Sequence, residues 1–372
     1  MNRREWIKRG GAVSALTLLG GQTIAATLSE KEKYQFNPRP LDEPIQLNFN
    51  ENPFGPSAKV REAMTKAFDI SCRYPSTYSK ELHEMIAKKE GVTTDHIVVV
   101  GGSTEGLKIT GLTYANNGGE IIAAKPTFLA MMSYAKQWGA SINWVPLDKD
   151  KMHDVDEMEK RISAKTKLIF LCNPNNPTST LLPKEKLVDF CTSASKKTMV
   201  FSDEAYYDFI EEPDYPSMVS LVKQGENVIV SRTFSKVYGL AGLRIGYLIA
   251  KPEIAKKIRA NVVAYTNVLA IKAATTAMQD KEFYEFSLSQ VKEGKELMYT
   301  AMNDLGLEYI RSNTNFIFFK TGRKIETFNK QMLEQGVKVG RPFPPFTEWC
   351  RISMGTIEEV KFFNQAMKKV LS

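Results

Sequence analysis

The chain has 372 residues, 43% hydrophobic and 25% charged, which is typical of a soluble globular enzyme of about two domains. No apolar run approaches the ~18 residues of a membrane span, and glycine and proline are near average, so collagen-like, low-complexity and multi-span membrane proteins are excluded. The formal net charge is +8, but mixing of basic with acidic residues argues against nucleic-acid binding, and the cysteines and histidines lack metal-site spacing.

The first 27 residues have the layout of an export signal. Arg3 and Arg4 open a basic segment, a mildly apolar run covers 12–19, and small residues follow at Ala25 and Ala26. This order is typical of a signal peptide, and the paired arginines resemble the twin-arginine type. A basic arm without fixed structure, or an uncleaved anchor, is the alternative. We therefore predict a protein that is exported, to the periplasm, with no stable membrane span.

From about residue 37 onward, apolar runs alternate with amphipathic stretches, which predicts βαβ units and a mainly parallel sheet. The predicted strands are Ile97–Val100, Glu120–Ala123, Ser141–Val145, Lys167–Cys172, Thr198–Ser202, Asn227–Ser231 and Gly246–Ile249. The predicted helices between them include Thr104–Tyr114, Phe128–Gln137, Val155–Ile162 and Lys184–Ala194.

After Pro252 the alternation stops, which predicts a smaller α+β domain. A long helical region from Glu253 to Leu305 precedes short strands and helices; these are Glu308–Ile310, Phe316–Phe319, Ile325–Glu334, Arg351–Met354 and Ile357–Val370. We expect residues 28–60 to contribute to this small domain, residues 61–255 to form the large domain, and residues 256–372 to complete the small one.

Gly101 and Gly102 lie between a buried-type strand and a helix that begins at Ser103 and Thr104. Glycines let the backbone approach an anion, and the first N–H groups of a helix point at it, so this turn can cradle a phosphate. An ordinary tight turn between strand and helix is the alternative.

The segment from Ser231 to Tyr247 carries the most specific signal. Lys236 follows an apolar strand and is flanked by the hydroxyls of Thr233 and Ser235, and a glycine-rich loop leads from it to Arg244. Burial and nearby cations make a lysine a usable amine nucleophile, while an arginine grips a phosphate with two donors. The run as a whole favours this interpretation over a surface lysine on a loop.

Two further strands end in polar side chains. Asp203 comes at the end of one strand, where open α/β sheets bind ligands, and its carboxylate could hold a pyridine nitrogen protonated. Tyr206 could reach a phenolic oxygen of the same ring, and so could the amide of Asn176 after the neighbouring strand. The alternatives are a helix cap for Asp203 and an Asn-Pro turn around Asn176.

Together these segments resemble the fold-type I pyridoxal-phosphate enzymes, within them the class I/II aminotransferases, and most closely the histidinol-phosphate aminotransferase-like group. The resemblance spans nearly the whole mature chain, from the run at 50–56, NENPFGP, to the run at 351–356, RISMGT. It implies an α/β fold, with a mainly parallel seven-stranded sheet in a large domain and a smaller α+β domain. It also implies pyridoxal 5'-phosphate as the cofactor.

The resemblance assigns roles residue by residue. Lys236 would form the Schiff base, Asp203 would pair with the pyridinium, and Tyr206 would hold the ring oxygen, so these three are the predicted catalytic residues. The other cofactor-binding residues implied are Gly102, Ser103, Thr104, Phe128, Asn176, Thr233, Ser235, Arg244 and Tyr74. The substrate-binding residues implied are Asn52, Arg341 for the distal end and Arg351 for the α-carboxylate.

Tyr74 looks like the tyrosine that this family lends to the neighbouring subunit's phosphate site, which implies a homodimer. The sequence also departs from the family pattern. Ser179 stands where the family has a glycine after Asn-Pro-Thr, at a position that favours positive φ. The stretch between Arg341 and Arg351 is short and proline-rich, and export does not suit histidine synthesis in the cytoplasm.

The predicted activity is transamination between an amino acid, or a histidinol-phosphate-like amine, and a 2-oxo acid. The freed Lys236 would move a proton from the substrate Cα carbon. The nearest alternative is a decarboxylase or lyase that uses the same cofactor, because the bond broken depends on pocket geometry. A non-catalytic cofactor-binding protein would lack the lysine or the aspartate, and this chain has both. Arg341 favours a donor with a distal acidic group, while Phe343 and Phe346 also suit an aromatic donor.

Overall fold

The protein is described by a computed structural model that covers residues 44–372. The predicted export signal lies outside these described residues. The strands are β1 (Ile45–Gln46), β2 (Ile97–Val100), β3 (Glu120–Lys125), β4 (Ser141–Pro146), β5 (Thr166–Cys172), β6 (Met199–Asp203), β7 (Val228–Thr233), β8 (Gly246–Ala250), β9 (Tyr309–Ile310), β10 (Phe316–Lys320), β11 (Val337–Lys338) and β12 (Trp349–Ser353).

The helices are α1 (Ala58–Ala67), α2 (Ser79–Glu90), α3 (Ser103–Ala115), α4 (Ala130–Gln137), α5 (Val155–Lys160), α6 (Lys184–Ser195), α7 (Val219–Lys223), α8 (Pro252–Arg259), α9 (Val268–Gln279), α10 (Lys281–Asp304), α11 (Ile325–Glu334) and α12 (Ile357–Leu371). None of these helices is long and apolar enough to span a bilayer.

The large sheet contains the seven strands that the sequence predicts, in the order β2-β8-β7-β6-β5-β3-β4. β4, β3, β5, β6 and β7 run parallel, and β8 is antiparallel to both of its neighbours. The prediction of a mainly parallel seven-stranded α/β sheet is therefore confirmed. The parallel order brings the carboxyl ends of β5, β6 and β7 to one edge, where such sheets place their ligands.

Two hydrophobic cores cover the two faces of this sheet, because alternate residues of each strand point to opposite faces. On β5, Ile169 belongs to the core formed with α1, α2, α6 and α9, whereas Phe170 belongs to the core formed with α3, α4 and α8. Val200 and Phe201 divide in the same way on β6. The result is a sheet between two helical layers.

A third core lies around the smaller sheets. β9, β10 and β12 form an antiparallel sheet, and β1 pairs with β11 in parallel. Leu47 from the start of the described chain packs there with residues of α10, α11 and α12. The domain boundaries at residues 60/61 and 255/256 stay a prediction.

Local signals explain where several helices begin and end. Ser57 accepts the Val60 backbone N–H at the start of α1, and Thr356 with Glu359 forms a capping box at the start of α12. α2 ends at Gly91, whose φ of 68° closes the helix in the left-handed region. These contacts satisfy backbone groups that a helix end leaves unpaired.

Candidate active site

A cleft of about 500 Å³ opens at the carboxyl ends of β5, β6 and β7. The structure brings twelve of the sequence-predicted site residues to its wall: Ser103, Thr104, Phe128, Asn176, Asp203, Tyr206, Thr233, Ser235, Lys236, Arg244, Arg341 and Arg351. They come from the carboxyl ends of β3, β5, β6 and β7, from the turn before β8, from the smaller sheets at β11 and β12, and from the start of α3. The cleft therefore gathers residues that lie far apart in the sequence.

Lys236 presents a primary amine to this cleft. Its Nζ donates hydrogen bonds to the carbonyl oxygens of Asn50, at 2.8 Å, and Phe49, at 3.4 Å. Burial, followed by the positive charge of Arg351, lowers the pKa of Lys236 from 10.5 to about 8. A substantial fraction of the amine is thus neutral near physiological pH and can act as a nucleophile or accept a proton.

Asp203 ends β6 with its side chain almost fully buried, at 2% exposure. Burial raises the pKa of this carboxyl from 3.8 to about 7, and a hydrogen bond from the Ala205 backbone opposes the shift. Its Oδ1 has no hydrogen-bond partner among the described residues. An unpaired buried carboxylate oxygen in a cleft wall is placed to accept a bond from a cationic N–H group of a ligand.

The hydroxyl of Tyr206 lies between two amide groups. Asn50 Nδ2 donates to it at 3.0 Å and Asn176 Nδ2 at 3.3 Å. Because its oxygen accepts both bonds, the Tyr206 O–H remains available to donate to an oxygen in the cleft. Burial raises the pKa of Tyr206, so the phenol stays protonated.

The loop that carries Asn176 is held from behind by buried polar contacts. Asn175 Oδ1 accepts from Thr127 Oγ1 at 2.9 Å, and Asn175 Nδ2 donates to Thr178 Oγ1 at 2.9 Å. His153 Nε2 lies 3.1 Å from the Cys172 carbonyl oxygen and 3.2 Å from Asn175 Oδ1. Both partners accept, so Nε2 carries the hydrogen, and burial lowers the pKa of His153 to about 4.

Ser179 adopts a left-handed backbone conformation, as expected at a position where the family has a glycine. Its φ is 59°, and its side chain is fully buried. The Ser179 hydroxyl donates to the Thr178 carbonyl oxygen. The turn next to Asn176 therefore keeps a glycine-like backbone in spite of the serine.

Hydroxyl and backbone donors form an anion cradle at the start of α3. Ser103 and Thr104 are its first two residues, so their backbone N–H groups are among those that a helix leaves unpaired. At the end of β7, Thr233 Oγ1 donates to Ser235 Oγ at 2.9 Å and accepts from the Ser235 backbone N–H at 3.1 Å. Both hydroxyls line the same cleft.

Arg244 completes the cradle through a close approach that only glycine permits. Gly102 has a φ of 79°, and a Cβ atom on it would lie 2.4 Å from Arg244 Nη2. Arg244 itself has a φ of 56° and donates from Nη1 to the Ala241 carbonyl oxygen at 2.8 Å. Gly102 does not line the cleft but makes room for the guanidinium that does.

Arg351 lies at the far wall, on β12, and is 8% exposed. Nη1 donates to Asn176 Oδ1 at 2.8 Å and Nη2 to the Asn48 carbonyl oxygen at 2.6 Å, while Nε has no partner among the described residues. Burial lowers the pKa of Arg351 to about 10. The side chain therefore stays charged near neutral pH and is fixed in place by these two contacts.

Arg341 and Arg351 both lie close to the ring of Phe343. The Phe343 ring centre is 4.3 Å from the Arg341 guanidinium carbon and 5.0 Å from that of Arg351. Arg341 Nη1 donates to the Pro342 carbonyl oxygen at 2.9 Å, and no acidic side chain within residues 44–372 forms an ion pair with it. Phe346 packs on Phe318 instead and does not line the cleft.

Besides Gly102, two predicted site residues lie away from the cleft wall. Asn52 Nδ2 donates to the Val237 carbonyl oxygen at 2.8 Å and to Ser287 Oγ at 3.0 Å, so its side chain holds the loop behind Lys236. The ring of Tyr74 is 85% exposed on the surface. Within a single chain, neither residue contacts the groups described above.

Asn50 is the main site residue that the sequence did not single out for a role. It is 1% exposed, has a φ of 56°, and joins Lys236 and Tyr206 to Ser353 of β12. Its backbone N–H also donates to Ser353 Oγ at 2.8 Å. The only local signal is its position at the start of the NENP run, because its partners are distant in sequence.

The residues present fit pyridoxal 5'-phosphate, as the sequence leads us to expect. The unpaired Oδ1 of Asp203 is an acceptor for a ring N–H, and the Tyr206 O–H is a donor for a ring oxygen. The cradle that Gly102 opens beside Arg244 suits a phosphate, and Lys236 supplies an amine. Each polar group of the cofactor thus has a chemically matched partner in one cleft.

Several known proteins resemble this chain over most of its length. The histidinol-phosphate aminotransferase of Moorella thermoacetica is 36% identical over 332 residues, which cover 88% of this chain and 86% of that protein. A solved structure from Erwinia carotovora atroseptica, assigned as a histidinol-phosphate aminotransferase, has a TM-score of 0.86 at 30% identity and covers 90% of this chain and 98% of its own.

A second solved structure, histidinol-phosphate aminotransferase from Sinorhizobium meliloti in complex with pyridoxal-5'-phosphate, shares the fold. Its TM-score is 0.81 at 24% identity, with 88% of this chain and 91% of that chain covered. The family model for aminotransferase class I and II matches residues 42–366, so it includes every predicted site residue. The chain therefore belongs to the aminotransferase class I and II family.

Proposed function

We propose that this aminotransferase binds pyridoxal 5'-phosphate at Lys236 and moves an amino group between an amino acid, or a histidinol-phosphate-like amine, and a 2-oxo acid. One observation carries the proposal: a single cleft holds an amine whose pKa is lowered to about 8 and a buried carboxyl whose pKa is raised to about 7. Such paired shifts in opposite directions are typical of acid-base sites.

When bound, the cofactor supplies an aldehyde that an amine attacks and a ring that withdraws electrons from the bond that breaks. Lys236 would hold the cofactor at rest, and its amine would be freed when the substrate amine takes its place. The Lys236 Nζ would then accept the proton from the substrate Cα atom and deliver it to the carbon that had been the cofactor's aldehyde carbon. Its lowered pKa allows both halves of this exchange near neutral pH.

Asp203 and Tyr206 fix the ring. A cationic ring N–H bound by Asp203 Oδ1 would lower the pKa of that carboxyl below its value of about 7 in the protein alone. The carboxylate would then be ionised and would keep the ring nitrogen protonated. The Tyr206 O–H donates to the ring oxygen, and Asn50 and Asn176 hold its oxygen in place.

Arg351 binds the α-carboxylate of the substrate. Its planar guanidinium matches a carboxylate with two parallel donors. Contacts to Asn176 and Asn48 already fix its orientation, so little side-chain freedom is lost on binding. The carboxylate is thereby placed on the far side of the cleft from the anion cradle.

For the amino donor we propose a substrate with a second, distal anionic group. Arg341 supports this, since it lines the cleft as a charged side chain that stacks on Phe343 and has no acidic partner within residues 44–372. A distal phosphate or carboxylate would supply that partner. The imidazole or phenyl ring of an aromatic donor is the alternative occupant, beside Phe343 and Phe128.

The test is the visible spectrum of the purified holoenzyme with a panel of donors, followed by product analysis. The panel contains histidinol phosphate, glutamate, tyrosine and phenylalanine. We expect loss of the visible cofactor band and release of an oxo product with the phosphorylated or dicarboxylic donor. Arg341→Gln should raise the KM of that donor without raising the KM of phenylalanine. Equal KM changes for both donors would contradict the assignment of Arg341.

A decarboxylase or lyase on the same fold is the second candidate. A solved L-threonine-O-3-phosphate decarboxylase from Porphyromonas gingivalis shares the fold, with a TM-score of 0.76 at 22% identity. Release of carbon dioxide, or of a product that has lost its side-chain substituent, would favour this candidate. Release of an oxo acid with transfer of the nitrogen to 2-oxoglutarate favours transamination.

We further propose a homodimer in which Tyr74 of one subunit reaches the phosphate site of the other. Tyr74 and Val263 are 85% and 83% exposed, which is unusual for large apolar side chains. A second cavity of about 540 Å³ shares Thr104 and Arg244 with the cleft and has Val263 and Tyr265 in its wall. A partner subunit would cover Val263 and Tyr265 beside the anion cradle.

Mixed dimers test this arrangement. Tyr74→Ala and Lys236→Ala should each impair turnover when expressed alone. In a mixed dimer, the Tyr74→Ala chain still has Lys236 and the Lys236→Ala chain still has Tyr74. One of the two sites is then intact, so the activity should exceed that of either variant alone. No recovery in the mixture, with both chains shown to associate, would place the role of Tyr74 within its own subunit.

We also propose that residues 1–27 direct export to the periplasm by a twin-arginine route. The support is the order of basic, apolar and small residues in that segment. Replacing Arg3 and Arg4 with lysine should retain the protein in the cytoplasm in a cell-fractionation experiment. An unchanged distribution between the fractions would contradict the proposal.

A further inference from the structure

Directly behind the cleft, two buried side chains of opposite charge join the strand ends that carry the predicted catalytic groups. Glu204 follows Asp203 at the end of β6, and Arg232 precedes Thr233 on β7. Arg232 Nη2 lies 2.8 Å from Glu204 Oε2, and the two side chains are 8% and 4% exposed. The mechanism described above uses neither of them.

Strand geometry explains this placement. Adjacent residues along a strand direction point to opposite faces. Asp203 faces the cleft, so the next side chain, that of Glu204, points away from the cleft. Arg232 stands in the same relation to Thr233, which lines the cleft. The Glu204 backbone N–H also donates to the Ser231 carbonyl oxygen at 3.0 Å. The ion pair therefore spans the β6–β7 junction one layer below the cofactor site.

The pair is held by several further contacts. Glu204 accepts from the Met218 backbone N–H and from Ser217 Oγ, both at 2.8 Å. Arg232 Nη2 also donates to Ser217 Oγ at 3.0 Å, and its guanidinium lies 4.0 Å from the Tyr207 ring centre. A buried ion pair often stabilises a fold no more than apolar packing of the same volume. Stability alone therefore gives little reason for a charged pair at this position.

Other titratable groups surround the pair. Behind it lie Lys89, Glu90, Asp208, Tyr238, Tyr247 and Tyr284. Cys191 and Tyr215 face Glu204, and burial raises the pKa of both, so they are neutral. On the cleft side, the negative charge of Glu204 acts on Asp203 and raises its pKa, while Lys236 acts in the opposite sense. Burial raises the pKa of Glu204, and the Arg232 charge and the Met218 and Ser217 hydrogen bonds oppose that shift. The ion pair with Arg232 thus favours the anionic form of Glu204 behind Asp203.

We propose that Glu204 and Arg232 are positioning residues for the reaction, which fix the spacing of the Asp203 and Lys236 strands and set the net charge behind Asp203. The inference rests on the proposed function. Removing the charge of Glu204 alone leaves the cation Arg232 unbalanced. Protonated states in the cleft then become less favourable. Removing both charges restores the balance.

The experiment measures the pH midpoint at which the visible band of the holoenzyme changes as the nitrogen at Lys236 loses its proton. Glu204→Gln should lower this midpoint by about half a pH unit or more and lower kcat, with little change in the KM of the donor. The double variant E204Q/R232M should return the midpoint towards that of the wild type. Arg232→Lys keeps the charge and should leave the midpoint unchanged.

Glu211→Gln is the matched control, because Glu211 pairs with the buried Lys295 at 2.9 Å but lies outside the cleft wall. It should leave the midpoint where it is. An E204Q holoenzyme with the pH midpoint and the kcat of the wild type would overturn the inference. If E204Q does not fold, a shifted pH midpoint in Arg232→Lys would overturn it instead. Failure of the wild type to form a visible band would instead overturn the proposed function.

Discussion

Replacing Asp203 with asparagine should stabilise the cofactor-free protein at alkaline pH even though it removes turnover. Burial raises the pKa of Asp203 from 3.8 to about 7. Between these two values the folded protein holds a proton that the unfolded chain has lost, so the free energy of unfolding falls as the pH rises. A pKa difference of about 3 corresponds to a loss of about 4 kcal/mol, complete above pH 7.

The substitution has an opposing cost. Asp203 Oδ1 has no partner among the described residues, so the asparagine amide takes an unpaired buried position, at a cost of about 1–3 kcal/mol. At pH 8 the variant should therefore be more stable than the wild type by about 1–3 kcal/mol. Near pH 5 the charge penalty falls to about 1.6 kcal/mol, which is similar to the cost of the buried amide, so the variant and the wild type should be about equally stable.

The assay is urea unfolding of the cofactor-free proteins between pH 5 and pH 8, followed by circular dichroism. The control is Asp189→Asn on α6, since this aspartate is exposed to solvent and its replacement should give no crossing of the stability curves. A difference between D203N and the wild type that is the same at every pH would refute the reasoning. So would a D203N protein that is less stable at pH 8.

Three further predictions concern the cofactor and the substrate. Gly102→Ala places a Cβ 2.4 Å from Arg244 Nη2 at a φ of 79°, so it should lower the free energy of unfolding by about 1–3 kcal/mol and weaken cofactor binding in an absorbance titration; an unchanged Kd would contradict this. Since the pKa of Lys236 is about 8, the rate of cofactor attachment should rise with pH and level off above about pH 8. A rate that does not change with pH would contradict the assignment of Lys236. Arg351→Lys should raise the KM of the donor at least ~10-fold with the visible band retained, and an equal KM would exclude a carboxylate contact.

The large sheet could be predicted because its strands are buried on both faces and read as continuous apolar runs. Each of the seven predicted strands lies within two residues of the observed bounds. The sequence analysis did not predict α1, α2 or the two-residue strands β1 and β11. Strands as short as Ile45–Gln46 exist only through pairing with Val337–Lys338, almost 300 residues away, and no local pattern encodes that contact.

The site follows the same division. Lys236 and Asp203 could be placed because parallel strands end at one edge, and the family pattern around Lys236 is specific. Asn50 could not, since its role depends on Ser353 Oγ, 303 residues away in the chain. Glu204 and Arg232 escaped notice because each is adjacent to a residue with a clearer signal, and their contact requires the register of β6 against β7.

The measurement that tests the central claim most directly is the site of cofactor attachment. The holoenzyme is treated with borohydride, which converts a carbon–nitrogen double bond into a stable single bond, and is then digested and analysed by mass spectrometry. The account predicts that the cofactor is attached to Lys236 in the peptide that contains Thr233 and Ser235, and that Lys236→Ala carries none. Attachment to another lysine, or a Lys236→Ala protein that turns over at the normal rate, would contradict it.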